Sequence, residues 1–228
     1  MKVFQLLTTE KNLLIKWNGR RTTHMNLVQI LQRSLSGYIF VVPGLLLYFW
    51  RLKKEGKKQT PAHVTCTFIF CFYLIGVLTM TGIGRIKAFS PRISLIPFAD
   101  MIDGLIGIVL NVVLFLPFGF FLPLMYKKYN CISKTVLTGL LLSVSIEVIQ
   151  MFGRGATDIN DLITNMLGAC LGFFVYQFLS GLIGKELCRK FKAGRINEGK
   201  EVLLFIIYSF VVMVTIQPFI IHTLFQLG

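Results

Sequence analysis

Six apolar stretches parted by short polar loops constrain this chain more than any other feature. They are Leu35–Trp50, Ala62–Gly82, Gly104–Tyr126, Ile132–Phe152, Asp161–Gly184 and Glu201–Gln226. About 18–20 apolar residues in a helix cross the hydrocarbon core of a bilayer, and all but the first stretch reach that length. In lipid each segment must satisfy its own backbone, so the stretches read as helices. The chain is 54% hydrophobic and only 15% charged, whereas a soluble domain carries about 25% charged residues. So few charged side chains cover a soluble surface poorly. The expected fold is all-α, a polytopic membrane bundle of about six helices. A soluble enzyme, a nucleic-acid-binding domain and a disordered tail are excluded. No nucleic-acid partner is expected, despite the net charge of +14.

The charge reports orientation instead. Three loops, Arg51–Pro61, Lys127–Lys134 and Lys185–Lys200, hold 14 Lys/Arg, and the alternate loops hold four, namely Arg85, Lys87, Arg92 and Arg154. Cytoplasmic loops carry the excess of Lys and Arg. The first set is therefore expected inside, and the Gly84–Asp103 and Gly153–Asn160 loops outside. Six more Lys/Arg precede residue 35 and lie outside if Leu35–Trp50 is a span. Alternatively that stretch is a re-entrant hairpin bent at Pro43-Gly44, or the tail is an amphipathic helix on the membrane surface. A span is the preferred reading. Trp17 and Trp50 sit beside basic residues, as interfacial anchors do.

Half of the ten carboxylates gather on the expected outer side: Asp100, Asp103, Glu147, Asp158 and Asp161. Glu147 lies about five residues inside its span, where an ionisable group marks a functional site by default. Ser143, Glu147 and Gln150 are spaced to share one helix face. Asp158, Asp161, Asn165, Gly168 and Gly172 recur every three or four residues, a polar stripe that turns small and permits close helix approach. Asp161 suits a helix N-terminus. Asn111, Glu147 and Asn165 fall at matching depths, about 6–11 Å below the outer helix ends. Short connections at Lys127–Cys131 and Gly153–Asn160 favour antiparallel neighbours. The plain alternatives are interhelical hydrogen bonding for Asn111, Gln150 and Asn165, and simple topology for Asp100 and Asp103.

Four stretches in order resemble the VanZ-like family of membrane proteins. They are Ser94-Leu95-Ile96-Pro97-Phe98; Asn111 through Phe120 with Leu122-Pro123; Ser143 through Gln150; and Gly153-Arg154, Asp158-Ile159-Asn160-Asp161, Asn165 and Gly168. Ser94 stands where the family often has Asn. The resemblance covers a four-helix core, 62–184; outside it the apolar and charged stretches give a basic segment 1–34, a first helix and loop 35–61, and a basic loop with a final helix 185–228. It implies a cell-membrane protein of the kind found in Gram-positive bacteria. The name-giving member is associated with resistance to teicoplanin, a lipid-bearing glycopeptide, and relatives with other lipopeptide-type antibiotics.

Three functions then compete. In the first, the outer face acts on a membrane lipid, a lipid-linked cell-wall precursor or an amphiphilic drug. Glu147 serves as general acid or base. Asp158 and Asp161 orient water or hold a hard cation. Asn111, Gln150 and Asn165 position a headgroup, and Arg154 binds phosphate or neutralises Asp158. In the second, the chain binds or shields without catalysis. In the third it is a transporter or scramblase, against which stands the lack of repeats and of charge in the inner halves of the spans. No Gly-x-Ser-x-Gly elbow and no His-Glu-x-x-His pair occurs. Ser143 and Ser145 lack a histidine partner. His24, His63 and His222 stand isolated. The five cysteines form neither a zinc pattern nor a disulfide framework. No cofactor is assigned, and the oligomeric state is left open.

Overall fold

Each apolar stretch becomes a helix, and its ends follow local chemistry. The computed structural model of the protein describes residues 27–84, 93–94, 105–152, 157–194 and 196–219. In chain order these form α1 (Leu27–Lys54), α2 (Pro61–Met80), β1 (Ile93–Ser94), α3 (Leu105–Met125), α4 (Ile132–Gln150), β2 (Thr157–Asp158), α5 (Ile159–Ile183), the short α6 (Lys185–Phe191) and α7 (Glu198–Val211). A π-helical turn, Val212–Ile216, carries α7 onward. Six of these helices are long and apolar enough to cross a membrane, the last continuing to Phe219. Thr60 caps α2 by accepting from the His63 amide, with Pro61 at the first helical position, where a proline loses nothing.

The re-entrant reading of the first stretch is overturned. α1 runs unbroken for 28 residues through Pro43, longer than its apolar stretch. Pro43 costs one helix hydrogen bond, but the region is braced from outside. The Tyr208 hydroxyl of α7 donates to the Phe40 carbonyl at 2.8 Å. The Tyr208 ring fills the space that a side chain at Gly44 would need. The surface-helix alternative for the tail falls on residues 1–26, outside the described residues, as do His24 and His222.

The tightest packing is between α3 and α5, which are not consecutive. The loop lengths point to α3–α4 and α4–α5 as antiparallel neighbours; both pairs do touch, but α3–α5 is the closer contact. Its cause is a seam of small residues. A side chain at Gly168 would strike the Val112 carbonyl, one at Gly172 the Leu116 carbonyl, and one at Gly119 the backbone of Ala169. The matched step of four residues on each helix makes the pair parallel. Parallel pairing recurs outside, where Ile93 pairs with Thr157 and Ser94 with Asp158. The core between α2, α3 and α7 is aromatic and aliphatic, built around Phe70, Phe115, Phe118, Leu122 and Phe205.

At the opposite end, residues 190–194 form a strap. The Ala193 amide donates to Met125 O at 2.8 Å. The Gly194 amide donates to Gln59 Oε1 at 2.7 Å, and Thr60 Oγ1 to Lys190 O at 2.5 Å. The Lys192 amine donates to the Pro123 carbonyl and to Tyr176 Oη. The last carbonyls of α3, which have no partner within their helix, are closed in this way. Glu198 accepts from the Lys127 and Lys128 amides at 3.1 and 2.6 Å, fixing α7 to the α3–α4 turn.

Two measurements test this packing. Gly172→Ala is expected to lower the unfolding stability of the detergent-solubilised chain by about 1–3 kcal/mol. Gly181→Ala, in open space, leaves stability unchanged or slightly raised. Burial pushes the Lys192 amine down from its ordinary 10.5 to about 8. Between those values the unfolded chain binds more protons than the folded one, so folding strengthens as pH rises from 8 to 10.5. That slope should be weaker in Lys192→Met, and thermal melts of both chains across the window will read it.

Candidate functional site

The glycine seam sets the heights at which polar groups meet near the β1–β2 end. Asp158 caps α5, its carboxylate accepting from the Asn160 amide at 2.9 Å. Its own amide donates to Glu147 Oε2 at 3.1 Å. Glu147, on the last full turn of α4, is 4% exposed, so a backbone donor meets a carboxylate where water hardly reaches. One turn into α5, Asp161 accepts from Asn111 Nδ2 at 2.6 Å. One turn deeper again, Asn165 Nδ2 donates to Ser143 Oγ at 2.8 Å. The rungs Asn111–Asp161, Glu147–Asp158 and Asn165–Ser143 thus join α3, α4 and α5 in one layer.

Most of the expected residues therefore come together. Asp158, Asp161 and Asn165 lie along α5, Glu147 faces the start of α5, and Asn111 reaches across from α3. Gln150 departs from the cluster. Its Nε2 donates to the Thr81 carbonyl at 2.7 Å, which ties α4 to the end of α2. Arg154, Asp100 and Asp103 lie outside the described residues. Ser143 joins the layer as the partner of Asn165, a role that its spacing of four from Glu147 hints at but does not assign.

Donors and acceptors are unequally spent in this layer. The side-chain amides of Asn111, Gln150 and Asn165 all donate within the protein. Among the described residues, Asn165 Oδ1 and Gln150 Oε1 are buried without a hydrogen-bond partner. Carboxylates accept through several lone pairs each. Both of these orphaned atoms are acceptors, and each carboxamide keeps a second N–H. Among the described residues, no group of three His, Cys, Asp or Glu side chains is placed to hold a metal ion.

Six apolar helices with a carboxylate–carboxamide layer near one end define the class: an integral membrane protein of multi-pass architecture. The chain belongs to the VanZ/LLP1 family, which matches residues 64–180, from α2 through most of α5. It is similar to Protein VanZ of Enterococcus faecium, with 39% identity over 94 residues, 41% of this chain and 51% of that relative. The aligned stretch thus spans about half the relative's length. No solved structure matches the chain.

The Asn111–Asp161 rung is open to a double-mutant cycle. With Asn111→Ala, Asp161→Ala and the double variant, the coupling energy is expected at about 1.5–3 kcal/mol, the range for a hydrogen bond to a charged group. A coupling near zero in unfolding measurements would remove the rung as a structural element.

Proposed function

We propose that the protein protects the cell against antibiotics of the glycopeptide or lipopeptide type, with the Asn111–Glu147–Asp158–Asp161–Asn165 layer as its acting site. In this reading the basic loops face the cytoplasm, following the excess of Lys and Arg, and the layer opens to the outer leaflet. The observation that carries the reading is the buried, unpartnered Asn165 Oδ1 in a layer with three acidic side chains. A buried acceptor without a partner, set among carboxylates, favours a ligand that donates hydrogen bonds. Such ligands carry ammonium or sugar hydroxyl groups, as amphiphilic drugs, lipid headgroups and lipid-linked cell-wall precursors do. Glu147 is the proton acceptor or donor of the site, Asn111 holds Asp161 in place, and Arg154 is the residue proposed to bind a substrate phosphate. Membership of the VanZ/LLP1 family supports the link to resistance.

A second reading, binding or shielding without a reaction, draws on the same rungs. The rungs brace three helices whether or not a substrate is turned over. Two measurements separate the readings. Glu147→Gln keeps the shape and removes the charge, and it should abolish resistance at equal membrane abundance. Ser145→Ala, an exposed hydroxyl bonded to the Leu141 carbonyl of its own helix, should not. Mass spectrometry of lipids and wall precursors, with and without expression, then reads the chemistry. An altered species supports a reaction, and unchanged species with lowered drug binding support a shield. Full resistance in Glu147→Gln would overturn the role given to that carboxylate.

A further inference from the structure

A second polar cluster lies at the strap end of the bundle, and nothing in the proposed function uses it. Along the sequence His63 stands isolated and the inner halves of the spans look free of charge; the structure corrects both. Glu201, in the first turn of α7, is 2% exposed, and His63, in the first turn of α2, is 0% exposed. They face one another, with His63 Nε2 at 3.7 Å from Glu201 Oε2. The Tyr126 ring, just beyond α3, meets the imidazole edge-on at 5.7 Å between centroids. His63 and Glu201 both lie outside the family match.

The hydrogen positions follow from the partners. His63 Nδ1 is 3.1 Å from the Phe191 carbonyl oxygen of the strap end. A carbonyl only accepts, so Nδ1 carries a hydrogen and donates it. In a neutral imidazole the other nitrogen, Nε2, would then turn a lone pair towards Glu201. Two acceptors would face each other, with a buried carboxylate lacking a countercharge, an arrangement that is costly in an apolar interior. His63 Nε2 makes no hydrogen bond among the described residues, and the Tyr126 and Tyr48 hydroxyls lie against the Glu201 carboxylate. No Lys or Arg among the described residues forms an ion pair with Glu201. One added proton relieves the opposition, whether it rests on nitrogen or on oxygen. The gap lies about 0.5 Å beyond hydrogen-bond length.

We propose that His63, Glu201 and Tyr126 form a proton-binding site at the strap end of the bundle, in which His63 Nε2 and Glu201 hold one proton in common. Tyr126 is the neutral donor beside it. The other titratable groups facing the pair are Tyr48 of α1 and Cys71 of α2. The proton seats α7 against α2 and, through the Nδ1 bond, against the strap. Its loss leaves a buried carboxylate with only tyrosine hydroxyls beside it and loosens the last helix.

The test uses the full chain in lipid nanodiscs, with isotope-labelled histidine and glutamate followed by magnetic resonance across the range in which histidine titrates, about pH 5 to 8. A shared proton makes the His63 Nε2 and Glu201 carboxyl signals change together, at one midpoint. This readout needs only the wild-type chain. In Glu201→Gln the proton affinity of His63 should change at least about tenfold. Separate midpoints for the two groups in the wild type would overturn the proposal, as would a His63 midpoint unmoved in Glu201→Gln. A signal change driven by sodium ions at fixed pH would make this a cation site and overturn it equally.

Discussion

The contact between α3 and α5 governs the rest of the molecule. Where Gly119, Gly168 and Gly172 meet the opposing backbone there is no side chain to hold the helices apart. Van der Waals packing, favoured in lipid by small residues, then brings the two axes close and parallel. Asn111 has a short side chain, and it reaches the Asp161 carboxylate only because the backbones approach so nearly. A bulky residue on that seam would part the rung before touching any polar group. The polar layer is thus a product of residues that have no functional groups at all.

α4 completes the arrangement by running against this pair. Ser143, Glu147 and Gln150 occupy successive turns on its inner side, and each meets a different part of the protein: the middle of α5, the start of α5, and the end of α2. One helix face therefore serves as a rail along which three elements are fixed. The strap does the same work at the other end, closing carbonyls of α3 and meeting the residues before α2. Both ends of the bundle are polar and internally bonded, and the middle is left to Phe, Leu and Gly.

Much of this is legible in the sequence, and what is hidden there shares one physical reason. Helix number follows from counting along a rise of about 1.5 Å per residue; the same count gives Asn111, Glu147 and Asn165 one depth, whereas packing sets them on three successive rungs. Asp158 and Asp161 announce a helix start by residue type. Pro43 misleads because a proline's cost is local, whereas the Tyr208 ring that braces it comes from the far end of the chain. Gln150 and the His63–Glu201 pair escape for the same reason: their partners are set by packing between distant segments. The seam's glycines are visible on α5, but which helix fills them is not.

The two-residue strand pair also has a mechanical consequence. Ser94 is in register with Asp158, and the amide of Asp158 is the donor to buried Glu147. The strand Ile93–Ser94 is thereby linked to an interior carboxylate through a single backbone unit. Asp158 is the hinge pin of that linkage: one residue pairs with the strand and, through its amide, holds the carboxylate.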